Sequence, residues 1–182
     1  MTPPVPDFSN LANISAGNGT IVTPQGARFA FAGKSGAPNI LFASQWDNYP
    51  ATVAVAAPPA GALLPGATAA WALVAGSTNP MQTLLANAEL RFVFDDGSNS
   101  TIALLPPLNF WSLGPWGVDY DIVADAFCMP DGAPPQVQLG KNFRAMVYAV
   151  AVPAGRGLAR VELEVLSQEV VIGILAASLM RG

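Results

Sequence analysis

Residues 89–105, ELRFVFDDGSNSTIALL, restrict the fold more than any other stretch of the chain, because they spell a β-hairpin. Leu90, Phe92 and Phe94 alternate with Glu89, Arg91 and the smaller Val93, the two-residue period of a strand with one buried face. Asp95-Asp96-Gly97-Ser98-Asn99 supplies short polar side chains that bond nearby backbone and a glycine suited to positive φ. Ile102, Leu104 and Leu105 then carry the chain back. Residues 160–166 alternate just as cleanly, with Val161, Leu163 and Val165 on one side and Arg160, Glu162 and Glu164 on the other. Further strands are expected around 26–31, 40–43, 53–55, 69–75, 136–139, 142–152 and 170–179, with residues 81–88 a short helix or loop. Gly/Pro turns separate them at roughly ten-residue spacing, and no 3.6-residue period is sustained. The expected class is all-β, a β-sandwich or jelly roll with the 89–105 hairpin at its centre. Residues 1–20, with Pro3, Pro4 and Pro6, read as an extended lead-in, and 21–182 as one domain.

Composition narrows the function classes. Hydrophobic residues make up 52% and charged residues 11%, against about a quarter charged in ordinary soluble domains. The longest apolar runs, 51–60 and 170–179, contain Pro58, Pro59 or Gly173, and are about half the roughly 20 residues that span a bilayer. No membrane span is therefore expected. The excess points instead to a part-apolar surface covered by another domain or by self-association.

The net charge is −4 and the 8 cations form no cluster, which argues against a nucleic-acid partner. The chain has 0 histidines, which removes Ser-His-Asp and Cys-His nucleophilic systems, imidazole bases and histidine-ligated metals. Cys128 stands alone and reads as a small buried apolar residue. The first residues lack the charged and apolar regions of a signal peptide and look like a linker remnant.

Three strings in order carry a family likeness: Gln45-Trp46-Asp47-Asn48-Tyr49-Pro50, Ala75-Gly76-Ser77-Thr78-Asn79-Pro80-Met81-Gln82, and Phe94-Asp95-Asp96-Gly97-Ser98. Together they resemble a β-sandwich accessory module of large bacterial glycoside-hydrolase-like proteins, in which it accompanies a six-hairpin catalytic region. The ending, SQEVVIGILAASL, is similar to the terminal strands of galactose-binding-like jelly rolls. After the hairpin such modules carry Asn-Pro and paired tryptophans, where this chain has Pro107-Leu108-Asn109-Phe110-Trp111. The resemblance implies a catalytic domain as partner and a periplasmic or extracellular parent protein.

Sugar recognition needs an aromatic plate for the C–H face of a pyranose and planar polar groups for its hydroxyls. Trp46, Asp47, Asn48 and Tyr49 offer both within four residues; Asn109, Trp111 and Trp116 offer a second set for an oligosaccharide or polysaccharide. The competing reading is structural: the tryptophans plug the ends of the sandwich or dock a neighbour, while Asp47 and Asn48 tie down their loop. Asp119, Asp121 and Asp125 present alternate carboxylates of the kind that hold calcium, without the glycine and terminal glutamate of an EF-hand loop. No other cofactor is expected. Glycoside hydrolysis needs two carboxyl groups about 5 to 9.5 Å apart with separated pKa values. Asp95 and Asp96 on a turn, and Glu162 and Glu164 on a solvated strand face, do not provide them, so a non-catalytic module is expected.

Overall fold

The structure, a computed structural model, describes residues 19–30, 40–46, 48–57, 66–77, 80–82, 84–110, 134–140 and 143–181. Among the described residues eleven strands follow in order: β1 Thr20–Val22, β2 Arg28–Ala30, β3 Leu41–Ser44, β4 Thr52–Ala56, β5 Ala67–Gly76, β6 Ala88–Phe94, β7 Asn99–Leu104, β8 Gln136–Gly140, β9 Phe143–Ala151, β10 Leu158–Val165 and β11 Val171–Arg181. A 3-10 turn, Pro80–Gln82, lies between β5 and β6. The architecture is all-β. A four-stranded sheet, β4-β10-β6-β7, faces a five-stranded one, β3-β11-β5-β9-β8, and every pairing is antiparallel.

The hairpin forms as its alternation requires. Phe94 N–H donates to Ser98 O and Gly97 N–H to Phe94 O, and Gly97 takes φ +84°, the left-handed conformation a glycine adopts without strain. Its position differs from the expected centre: β6 is an interior strand, but β7 is the sheet's outer edge. Interior to the sandwich, Leu90, Phe92, Phe94, Leu104, Val161, Leu163 and Val165 of one sheet meet Ala70, Ala72, Val74, Met146, Tyr148, Ile172 and Ile174 of the other. Alternation along β6 and β10 puts Glu89, Arg91, Arg160, Glu162 and Glu164 on the opposite, solvated face.

The five-stranded sheet is covered on both faces, which the sequence pattern does not reveal. The β1–β2 ribbon buries Ala27 and Phe29 against Trp71, Leu73, Ala75, Ala145, Val147, Leu175 and Ala176 on the side away from the main core. Strand β1 begins at Thr20, the last residue of the expected lead-in. Residues of β5 therefore have no solvated face over Ala70–Gly76, so the run AAWALVAG shows no alternation. A bulge in β11, where the register shifts between Ile174 and Ala176, places Leu175 and Ala176 together in the outer cluster and returns Ala177 and Leu179 to the inner one. Three layers give many of the apolar residues an outlet within the chain itself.

Two glycines permit close approach. A Cβ on Gly76 would run into the Val171 carbonyl oxygen and lie 2.7 Å from Ile172 Cα. A Cβ on Gly173 would lie 2.7 Å from Ile40 Cγ2 and 2.8 Å from Phe42 Cδ1, side chains that close over the bare backbone.

Candidate functional site

One end of the sandwich gathers the loops that the sequence singles out. Residues 45–46, 48–51, 77, 80–82, 84–87, 105–110 and 166–170 meet there, stitched by buried polar groups. Ser44 Oγ donates to Val170 O (2.6 Å) and accepts from Trp46 N–H (3.1 Å), fixing the chain's exit from β3. Gln45 Nε2 donates to Val165 O at 2.8 Å, and Val165 N–H donates to Ala51 O at 2.8 Å, so this loop is anchored to the end of β10. Buried Asn87 is the hub. Its Nδ2 donates to Gln82 O and Leu85 O at 3.3 Å each, its N–H donates to Leu104 O, and its carbonyl accepts from Leu166 and Ser167 N–H. Leu84 N–H donates to Pro106 O at 2.6 Å, joining the second loop to the third. Ser77 and Val171 exchange bonds at the start of β11.

Around these bonds the rim offers solvent a set of large apolar side chains alongside the exposed polar residues Gln45, Asn48, Gln168 and Glu169. Met81 is 88% exposed, Leu85 61%, Leu84 59% and Tyr49 45%, and Leu108 and Leu166 are exposed beside them. Both non-glycine residues with left-handed backbone among the described residues, Leu84 (φ 64°) and Glu169 (φ 63°), lie on this rim. A side chain there costs roughly 1 kcal/mol, and such strain concentrates where surfaces are used.

The expected sugar residues separate into three groups. Trp46 is half-buried, while Asn48 and Tyr49 are exposed on the same loop. Asn109 is on the rim, but its side-chain amide holds its own turn: Oδ1 accepts from Leu105 N–H (2.7 Å) and Nδ2 donates to Ala103 O (2.8 Å). Its main-chain carbonyl accepts from the Tyr148 hydroxyl. Asp47, Trp111 and Trp116 lie outside the described residues, as do Thr78, Asn79, Cys128 and the calcium candidates Asp119, Asp121 and Asp125. Among the described residues no three histidine, cysteine or carboxylate side chains are grouped to hold a metal, and no helix is long and apolar enough to cross a membrane.

The charged face is elsewhere, on the outside of the four-stranded sheet. Arg91 reaches Glu89 (3.2 Å), Glu162 (3.3 Å) and Glu164 (3.4 Å), and Arg160 reaches Glu162 at 2.6 Å. The Arg160 hydrogen bond, with Arg91 behind it, holds the Glu162 carboxyl below its ordinary range. A carboxyl kept ionised and saturated by arginines is a poor general acid.

Sequence reasoning passed over Met81, Leu84 and Leu85. Their i, i+3, i+4 spacing reads as the buried face of a helical turn, whereas the chain makes only a short 3-10 turn and leaves them outside. Comparison with protein-family models, with curated proteins and with solved structures found no match to this chain.

Proposed function

We propose that the chain is a non-catalytic β-sandwich module, of the galactose-binding-like jelly-roll class that its motifs resemble, which docks on a catalytic domain of a carbohydrate-active enzyme. One observation carries this reading: the rim formed by the motif-bearing loops turns five large aliphatic side chains, Met81, Leu84, Leu85, Leu108 and Leu166, out to solvent. Aliphatic side chains bury well against a folded protein surface and offer nothing to sugar hydroxyls.

A second reading, an autonomous carbohydrate-binding module, is favoured by Trp46 and Tyr49 on the same rim, since an aromatic plate beside exposed Asn48 suits a pyranose. Tryptophan fluorescence during titration with a panel of oligosaccharides separates the two. The docking reading expects no saturable response. A saturable response abolished by Trp46→Ala would replace it with the second reading.

A further inference from the structure

Strand β4 differs from the other sheet edges. Its partner β10 uses only alternate residues: Val165 N–H donates to Ala51 O and Ala57 N–H to Ala159 O, both at 2.8 Å. In an antiparallel ladder this turns the N–H and C=O groups of Thr52, Ala54 and Ala56 away from β10, toward an edge that no strand pairs among the described residues. All three residues are exposed. Nothing on the strand discourages pairing, because Thr52–Ala56 holds no charge and no proline and its register with β10 is unbroken. The other edges of the two facing sheets are each blunted. On β7, Asn109 Nδ2 occupies the outward carbonyl of Ala103. The β8 ladder shifts register near Gly140, and β3 is only 4 residues long.

We propose that β4 is a self-pairing edge that joins two copies of this chain, antiparallel, about a two-fold axis at Ala54. The sequence TVAVA is almost its own reverse, so the pairing is self-complementary, as an isologous interface requires. Thr52 faces Ala56 of the second copy, Ala54 faces Ala54 of the second copy, and each such pair exchanges two N–H···O bonds. Between them Val53 faces Val55 of the second copy on the core side, a β-branched pair in the closer, non-hydrogen-bonded position.

Charge does not oppose the arrangement. On the outer face Glu164, Glu162 and Arg160 stand beside Thr52, Ala54 and Ala56, so the pairing aligns Arg160 of each copy with Glu164 of the other. Those alignments, and that of Glu162 with its own counterpart, all span three strand spacings, about 14 Å, beyond the screening length of about 8 Å at physiological salt. Exposed Leu41, on the neighbouring edge strand of the facing sheet, lies on the same flank. It gives a folded copy an apolar contact that a lone peptide strand would leave uncovered.

Sedimentation equilibrium of the whole chain, combined with amide hydrogen exchange at several concentrations, tests this. A reversible monomer–dimer equilibrium is expected, with exchange at Thr52, Ala54 and Ala56 slowing selectively as dimer forms. Ala54→Pro removes an outward N–H without touching the β10 ladder, and is expected to weaken the dimer about tenfold or more. If that variant does not fold, the alternating exchange pattern of the unmodified chain decides. A chain that stays monomeric throughout, or a dimer that leaves those three amides at their monomer rates, overturns the proposal. So does a dimer broken by Met81→Ser with Leu85→Ser but not by a folded Ala54→Pro, which would assign self-association to the rim.

Discussion

The Tyr148 hydroxyl donates to the main-chain carbonyl of Asn109 at 2.8 Å, tying a strand of the five-stranded sheet to the turn that follows the edge strand of the other. The bond crosses the core and holds one segment of the rim. Removing it with Tyr148→Phe leaves a part-buried carbonyl without its donor, and is expected to cost about 1–2 kcal/mol in denaturant unfolding. Burial pushes the Tyr148 hydroxyl well above the ordinary tyrosine value of 10.0. A proton held more tightly in the folded state stabilises fully below the unfolded pKa and is lost as pH rises through the folded one. Stability should therefore fall above about pH 10 as unfolded Tyr148 ionises, and Tyr148→Phe should lack that component when tyrosinate absorbance and unfolding are followed together.

Gly76 and Gly173 should respond unequally to alanine. The added Cβ at Gly76 meets backbone of Val171 and Ile172, which cannot move without breaking the ladder. At Gly173 it meets the side chains of Ile40 and Phe42, which can turn aside. Gly76→Ala is expected to cost about 3 kcal/mol or more, and Gly173→Ala about 1 kcal/mol. Equal midpoints in chemical unfolding would refute this account of how β11 and β5 approach.

The outer charged face predicts an acid-side effect. Glu162 is held below its ordinary value of 4.5 by Arg160 first and Arg91 second. A depressed carboxyl contributes stability that is present above the unfolded pKa and lost as pH falls through the folded one. The stability of the chain should decline below about pH 4.5, and Glu162→Gln should flatten part of that decline. Arg91→Met leaves Glu89 facing Glu164 in register without the cation between them. Its cost, about 1 kcal/mol at low ionic strength, should shrink in high salt because these groups are partly solvated.

How far the sequence foretells this structure depends on whether a strand has a solvated face. Strand β10 and the β6–β7 hairpin are legible residue by residue, because Glu162, Glu164 and Arg91 alternate with Val161, Leu163 and Phe92. Strands β5 and β11 are legible only as apolar runs, since Trp71 and Leu73 are buried under the β1–β2 ribbon while Ala72 and Val74 face the main core. The Leu175–Ala176 bulge breaks the phase that a period-two reading depends on. At the rim, Trp46 and Tyr49 are conspicuous by residue type. Asn109 looks like a hydroxyl partner in the sequence, which does not reveal that its amide also clamps its own turn. The aliphatic trio of Met81, Leu84 and Leu85 stays hidden, because apolar residues at helical spacing normally mean core.

Left-handed Leu84 offers a direct probe of that rim. Leu84→Gly relieves the backbone strain and is expected to leave stability unchanged or raise it by about 0.5–1 kcal/mol. It should at the same time weaken docking, because the exposed side chain is lost. A variant that loses stability would show that Leu84 is held by packing and is no part of a docking surface.

The central proposal, that the aliphatic side chains of the rim dock a folded partner, is tested most directly by calorimetric titration of the chain with a six-hairpin catalytic domain, the proposed partner. The account predicts saturable binding, weakened at least about tenfold, or ~1.4 kcal/mol, by Met81→Ser with Leu85→Ser in a variant of unchanged thermal midpoint. Absence of binding, or binding indifferent to those two substitutions, would contradict it.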